Sequence, residues 1–295
     1  VSLRITPCGS YSYDAPLRIR LSFAELPSEI TLAGNAFTGT LSRSWIQEEI
    51  YTLDEMPCEF TVPRRFSFRY MVMDVLAFSG CRIRLNHISA RGVTSADERM
   101  LLPPPENIDG ELREIDRIGV ATLRNCMQTV FEDGPKRDRR LWLGDLRLQM
   151  LVNAVTYRNF ELVERSLHLL AAAADDQGLI PGCVFDRKSD RRGCDTIDYA
   201  LLFGPTLLDH WESSGRGEIA AELFDLSLKQ LDFVRPFFGN GNAESCDIEQ
   251  NPWWVFIDHT QNLDRQAAFT GVLLCSLQAH ATLAARLGKN KLARE

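Results

Sequence analysis

The proline triplet Pro103-Pro104-Pro105 separates two stretches of chain with different hydrophobic periods, and that change of period limits the possible folds more than any other feature. Consecutive prolines stay extended and cannot continue a helix. Before them, Leu17, Ile19, Leu21 and Phe23 alternate with Arg18, Arg20 and Ser22. Phe66, Phe68, Tyr70 and Val72 recur at every second position, and Cys81, Ile83 and Leu85 alternate with Arg82, Arg84 and Asn86. A period of two puts one face of a strand on a core and the other in water. Gly34-Asn35 and Ser79-Gly80 read as turns. Residues 1–102 are therefore expected to form an antiparallel β-sandwich.

Beyond the prolines the spacing becomes helical. Leu112, Ile115, Leu123, Cys126 and Val130 trace one stripe. A second helix is expected from Trp142 to about Tyr157, and a third behind Asn159 as its cap, with Leu162, Val163, Leu167 and Leu170 inward. Residues 175–196 read as a long loop, and a loop of that length inside a compact domain is often functional. Tyr199 to Trp211, ending near Gly215, is the fourth helix, and capping is the simplest account of Asp198 just before it. Residues 217–234 form the fifth, with Ala220, Leu223, Phe224, Leu231 and Val234 on one face; Gly239–Asn242 is loop. The sixth runs from about Asn262 to Leu287, with Gly288 at its C-terminal end. The expected architecture is an all-α part of about six helices, or three αα-hairpins, over residues 109–295, with the boundary at about 102–108. Asn290 is placed to cap a further helix opening at Lys291, so the chain reads as a piece of a longer protein.

Charge and cysteines narrow the function. The 295 residues carry a net charge of −7, which argues against nucleic-acid or anionic-membrane partners, since both call for a basic patch. The one basic run, Lys136 to Arg140, is interrupted by Asp138. No uninterrupted run of about 18 apolar residues exists, so no transmembrane helix is expected; no signal-peptide pattern stands at residue 1, where the start of the protein reads as missing. The eight cysteines are scattered, with no Cys-x-x-Cys and no histidine at zinc-ligand spacing. No metal and no cofactor is expected, and reduced buried cysteines slightly favour a cytoplasmic setting. Cys183 and Cys194 flank the long loop and would pair in an oxidising compartment. His168, His210 and His280 fall in helical runs and read as structural.

Residues 132–145 carry the chemistry. They hold Asp133, Asp138 and Asp145, the cations Lys136, Arg137, Arg139 and Arg140, and Trp142, with Gly134-Pro135 as a turn. The acids are not at helical i,i+4 spacing, so the segment reads as a loop that gathers carboxylates, guanidiniums and an indole. Carboxylates accept hydrogen bonds from hydroxyls, and an indole packs on the apolar face of a sugar ring, so an uncharged carbohydrate suits the mixture. A solvated charged loop is the competing reading.

The run Asp133-Gly-Pro-Lys-Arg137-Asp138-Arg-Arg-Leu-Trp142-Leu-Gly144-Asp145 resembles the signature of the α-L-rhamnosidases of glycoside hydrolase family 78. Pro63–Tyr70 and His87–Asp97 resemble the end of the sandwich that precedes that family's barrel, and Trp253–Asp258 resembles a later barrel segment. The resemblance implies a β-sandwich followed by half of an (α/α)6 toroid, and inverting hydrolysis of terminal α-L-rhamnosides. It places Asp138 as general acid, where relatives usually carry a Glu at or beside the position, and Asp133, Arg137, Trp142 and Asp145 as sugar-binding residues. No residue here matches the family's general base, a Glu of the second half-barrel. Asp258 reads as a lining residue and Asp264 as structural. Of Trp253 and Trp254, neighbours that point in different directions, one is expected as a stacking platform and the other as core. Arg137 is expected to pair with Asp133 or Asp145 rather than Asp138, so that those two stay ionised while Asp138 keeps its proton. The alternative function is a non-catalytic, degenerate carbohydrate-binding relative.

Overall fold

The computed structural model describes residues 1–9, 15–32, 45–78, 82–185, 192–238, 252–260 and 262–294. The expected turns at Gly34-Asn35 and Ser79-Gly80, the charged residues from Asp186 to Arg191, and the Gly239–Asn242 loop lie outside these. The chain forms two compact units: Val1–Val93 together with Gly134–Arg139, and Thr94–Asp133 together with Arg140–Glu295.

The first unit is built on two three-stranded antiparallel sheets. In one, β1 (Ser2–Cys8) lies between β4 (Cys58–Thr61) and β6 (Arg82–Ser89); in the other, β2 (Leu17–Ala24) lies between β3 (Glu48–Leu53) and β5 (Tyr70–Ala77). Alternation decides which side chains meet. Leu3 and Ile5 of β1, Leu17, Ile19, Leu21 and Phe23 of β2, and Met56 and Val62 share one buried core. Each such side chain removed from water contributes about 1.5–3 kcal/mol. Phe66 and Phe68, expected at the start of a strand, precede β5 and close the core on Phe23, with ring centroids 4.1 and 5.0 Å away. On the polar face, the register sets Arg20 opposite Asp74, and the pair closes to 2.7 Å. A short helix, α1 (Pro27–Leu32), follows β2.

The second unit is helical: α2 (Gly110–Cys126), α3 (Leu143–Ala154), α4 (Phe160–Ala172), α5 (Ile197–Leu201), α6 (Phe203–Ser214), α7 (Glu218–Val234) and α8 (Gln266–Arg286). Local signals behave as the sequence predicts. The Asn159 side chain accepts from the Leu162 amide at 3.1 Å, and Gly215 and Gly288 take the left-handed conformation that ends α6 and α8. Two cores fill the unit, one around Phe131, Leu141, Leu146, Met150, Phe203 and Phe224, the other around Ile197, Leu201, Leu231, Val234, Phe269 and Leu273.

Four features depart from expectation. The expected Tyr199–Trp211 helix is two helices, because Pro205 has no amide to give the Leu201 carbonyl one turn back. Trp142 is the N-cap of α3 and not its first helical residue, and it also ends strand β7 (Arg140–Trp142). β7 pairs antiparallel with β8 (Cys183–Phe185), a strand inside what reads as uninterrupted loop. Three residues are too few to carry a periodic signal. Of the expected helical stripe, α2 buries only Leu123 and leaves Leu112 and Ile115 exposed, while Val130 is buried beyond the end of the helix.

Helix α8 is long and apolar enough, by length and composition, to cross a membrane. The sequence, read for uninterrupted apolar runs, does not signal this. In the fold α8 is a core helix that places Phe269 and Leu273 in one apolar cluster and Leu283 and Ala284 in the other.

Candidate active site

The acid-bearing loop. Residues 135–138 turn sharply, because the Arg137 and Arg139 amides both donate back to the Gly134 carbonyl, at 2.9 and 3.1 Å. Both ends of the turn are left-handed, with φ of 58° at Gly134 and 54° at Arg139. Glycine suits the first position on a second count: a Cβ there would lie 2.7 Å from the Asp138 carboxylate and from Arg137 Cγ. Arg139 takes that conformation at a cost of about 1–2 kcal/mol. Its guanidinium offsets part of this by donating to the Pro135 carbonyl at 3.0 Å and to the Arg65 carbonyl. Lys136 is held by Glu29, with Glu25 at 3.7 Å.

Asp138 stands at the tip of this turn with its side chain only 3% exposed. Arg137 Nη1 donates to Asp138 Oδ1 at 2.8 Å. This corrects the expectation that Arg137 would turn away from Asp138: the tight turn puts adjacent side chains on the same side, and a buried carboxylate takes the nearest guanidinium. The competing reading of Asp138 as a solvent-exposed acid does not hold, since its side chain is almost wholly buried.

The helical unit gathers its own acids. The Asp133 amide donates to the Arg140 carbonyl at 2.8 Å, which begins β7 and carries Trp142 to the start of α3. Asp145 then falls in the first turn of α3, where a negative charge is favoured by the free amides. The half-buried Cys126 thiol registers the convergence. Burial, and then the charges of Asp133, Glu132 and Asp145, push its pKa up to about 11. Tyr199 of α5 stands among the same acids. Its hydroxyl hydrogen-bonds Asp145, and burial, followed by the charges of Asp145, Asp198 and Asp133, raises its pKa. The Tyr199 ring meets Trp142 edge-on at 6.0 Å and Phe256 at 5.8 Å. It approaches so closely over α3 that a Cβ on Gly144 would lie 2.6 Å from its Cζ. Arg140 stacks on Phe185 at 4.6 Å and on Trp142 at 5.8 Å. The Trp142 indole nitrogen is buried and has no hydrogen-bond partner among the described residues.

The aromatic strip is held by Asp198. Its buried carboxylate accepts from the Phe256 and Ile257 amides at 3.2 and 2.9 Å, and burial raises its pKa. The expected capping role is corrected: Asp198 lies within α5, whose N-cap is Thr196, and its carboxylate ties the strip to α5. The Ile197 amide adds a bond to the Trp254 carbonyl at 3.0 Å. Trp253 turns inward, edge-on to Phe233 at 5.7 Å, while Trp254 is 52% exposed beside Phe256. The adjacent tryptophans thus point apart. Asp258 is exposed, and its carboxylate binds the Thr260 amide at 2.6 Å and the Thr260 hydroxyl in a turn, which lowers its pKa. Asp264 accepts from the Gln266 amide at 2.9 Å at the start of α8, a structural role.

The fold thus brings Asp133, Trp142 and Asp145 together within the helical unit and adds Tyr199, Asp198 and Phe256, which sequence reasoning left without a binding role. The available signal was an acid–aromatic pair, Asp198-Tyr199, directly after the long loop.

Residues 1–91 match the family model described as the glycosyl hydrolase family 78 alpha-rhamnosidase N-terminal domain, and residues 109–208 match the bacterial alpha-L-rhamnosidase six-hairpin glycosidase domain. No curated protein matches the chain. Among solved structures, a rhamnosidase from Klebsiella oxytoca with rhamnose bound aligns at 38% identity and a TM-score of 0.90, over 99% of this chain and 56% of that one. A GH78 family rhamnosidase of Bacillus sp. GL1 aligns at 19% identity and a TM-score of 0.79, over 99% of this chain and 28% of that one. An α-L-rhamnosidase of Streptomyces avermitilis complexed with L-rhamnose aligns at 18% identity and 0.62, over 98% and 26%. The last two show a common fold. The chain spans a little over half the length of the Klebsiella protein and less of the others. With a sandwich and a hairpin domain in the family's order, the chain belongs to glycoside hydrolase family 78, the alpha-L-rhamnosidases.

Proposed function

We propose that the protein containing this chain hydrolyses terminal α-L-rhamnosides with inversion, and that this chain supplies the general acid and sugar-binding residues. Asp138 gives its proton to the departing glycosidic oxygen. Asp133, Arg137, Trp142 and Asp145 hold the sugar, and Trp253, Trp254 and Asp258 belong to the strip beside it. An inverting reaction needs a second carboxylate to activate water on the opposite face, about 6.5–9.5 Å from the first. That base is a Glu outside the residues matched here. In this reading residues 1–102 are the sandwich domain and 109–295 the first half of the barrel.

The observation that carries the proposal is the convergence of Asp133 and Asp145 on Tyr199 beside a buried, unpartnered indole N–H at Trp142. Ionised carboxylates accept from sugar hydroxyls, the indole N–H donates to one, and the aromatic edges give the apolar face of a deoxysugar a surface to pack on. The 38% identity to a rhamnosidase with rhamnose bound agrees with that chemistry.

The Arg137–Asp138 pair favours a second reading, a degenerate sugar-binding relative, because a carboxylate held by a guanidinium favours its ionised form and gives up its role as a proton donor. One experiment separates the two. Full-length protein is assayed on an aryl α-L-rhamnoside, with rhamnose binding followed by calorimetry. Catalysis predicts rhamnose release, reduced about 10²–10⁴-fold in Asp138→Asn. An unchanged rate in that variant removes Asp138 from the role. Rhamnose binding without turnover establishes the second reading.

A further inference from the structure

Cys183 and Cys194 take no part in the chemistry above, yet their sulfurs are 3.7 Å apart. The backbone sets this distance. The Gly182 amide donates to the Cys194 carbonyl at 2.8 Å, and the Gly193 amide donates to the Cys183 carbonyl at 2.9 Å, so the two segments run side by side at this point. Gly193 leaves room for the sulfur: a Cβ there would lie 2.3 Å from Cys183 Sγ. Cys183 is buried and Cys194 partly exposed. A disulfide bond needs about 2.05 Å between sulfurs, which side-chain rotation reaches when the Cβ atoms already face each other. No other cysteine pair among the described residues has a sulfur–sulfur contact in the structure.

The surroundings favour reaction. The two thiols share a hydrogen bond, and that bond, with the Arg140 guanidinium nearby, outweighs burial and lowers the pKa of one of them, Cys183, while Cys194 is raised. A thiolate beside a protonated partner is the arrangement that thiol oxidation requires.

We propose that Cys183 and Cys194 form a reversible redox couple that cross-links the start of β8 to the Gly193–Cys194 segment, beside the strand carrying Trp142. The register pairs Cys183 directly with Trp142, so the cross-link fixes the strand on which the indole is mounted. Because Cys183 is buried, the oxidant is a small peroxide, arriving from the Cys194 side. The Cys183 thiolate attacks one peroxide oxygen and the O–O bond breaks, leaving a sulfenic acid and hydroxide. The Cys194 sulfur then displaces the hydroxyl from Cys183, and its proton goes to make water. Overall, two thiols lose two electrons and two protons, and hydrogen peroxide becomes two waters.

The test is differential thiol alkylation of the whole chain before and after hydrogen peroxide, followed by peptide mass spectrometry and dithiothreitol reduction. The expected result is a peptide pair joined through Cys183 and Cys194, formed before other cysteines lose alkylation and released by dithiothreitol. In Cys194→Ser, Cys183 should go on to sulfinic acid, which dithiothreitol does not reverse. Cys183→Ser, should it fold poorly, is replaced by this more exposed variant. Cys183 and Cys194 remaining fully alkylatable while other thiols oxidise would overturn the proposal, as would identical products from wild type and Cys194→Ser. Neither outcome depends on rhamnoside hydrolysis.

Discussion

Arg137 Nη1 donates to Asp138 Oδ1 across 2.8 Å, and the carboxylate it grips is almost wholly buried. Two influences of opposite sign therefore act on one candidate acid. Burial favours the neutral carboxyl, and the guanidinium favours the carboxylate.

Removing the Arg137 cation takes away one influence that favours the carboxylate. A general acid works while protonated, so Arg137→Ala is expected to move the alkaline limb of the kcat/KM profile of the full-length protein to higher pH, along with a raised KM if Arg137 also touches the sugar. Arg137→Lys, which keeps the charge, should leave the limb near its wild-type position. Identical profiles for wild type and Arg137→Ala would show that the pair does not govern the acid.

Gly144 and Tyr199 should behave as one unit. A methyl on Gly144 meets the Tyr199 ring at 2.6 Å, so Gly144→Ala is expected to cost about 1–3 kcal/mol through overpacking. Tyr199→Ala alone should cost about 3–5 kcal/mol, by analogy with other large aromatic truncations. The double variant should be less destabilised than the sum, by about 0.5–3 kcal/mol, since the vacated ring accommodates the methyl. Denaturant titration of the four proteins checks this, and strict additivity would contradict the close approach.

Asp198 is expected to hold the 253–258 strip. Asp198→Ala strands the Phe256 and Ile257 amides, at up to about 1–3 kcal/mol for each part-buried donor left unsatisfied. Limited proteolysis should then cut the strip earlier than it cuts α8, and tryptophan fluorescence should shift red as Trp253 gains water. A variant with wild-type protease resistance would show that the two bonds do not anchor the strip.

Two buried histidines should make stability fall on mild acidification. Burial lowers both His210 and His280 below the ordinary 6.5. The unfolded chain then binds more protons than the folded one, so their contribution is full above 6.5 and is lost as pH falls below it. Asp198 acts with opposite sign: its raised pKa gives stability below the usual 3.8 that is lost as pH rises through the folded value. The melting temperature should drop between about pH 7 and 5.5, and His280→Gln should flatten that slope while keeping a partner for Ser227, which lies 2.8 Å from His280 Nε2. A level melting temperature across that window in the wild type would exclude the effect.

The sequence by itself determined the order and type of the elements and the chemistry of the motif. Alternation at Leu17–Phe23, the Asn159 cap, the ends at Gly215 and Gly288, and the ordered run from Asp133 to Asp145 are written in neighbouring residues, because hydrogen bonding within a turn and the period of a strand or helix act over a few positions. Only the tertiary structure decided which distant groups meet. The pairing of Trp142 with Cys183 across β7 and β8, and the placing of Tyr199 and Asp198 among the acids, depend on packing against residues tens of positions away. A buried charge or amide takes whatever partner the packed core puts within reach, and no local pattern records which one that is.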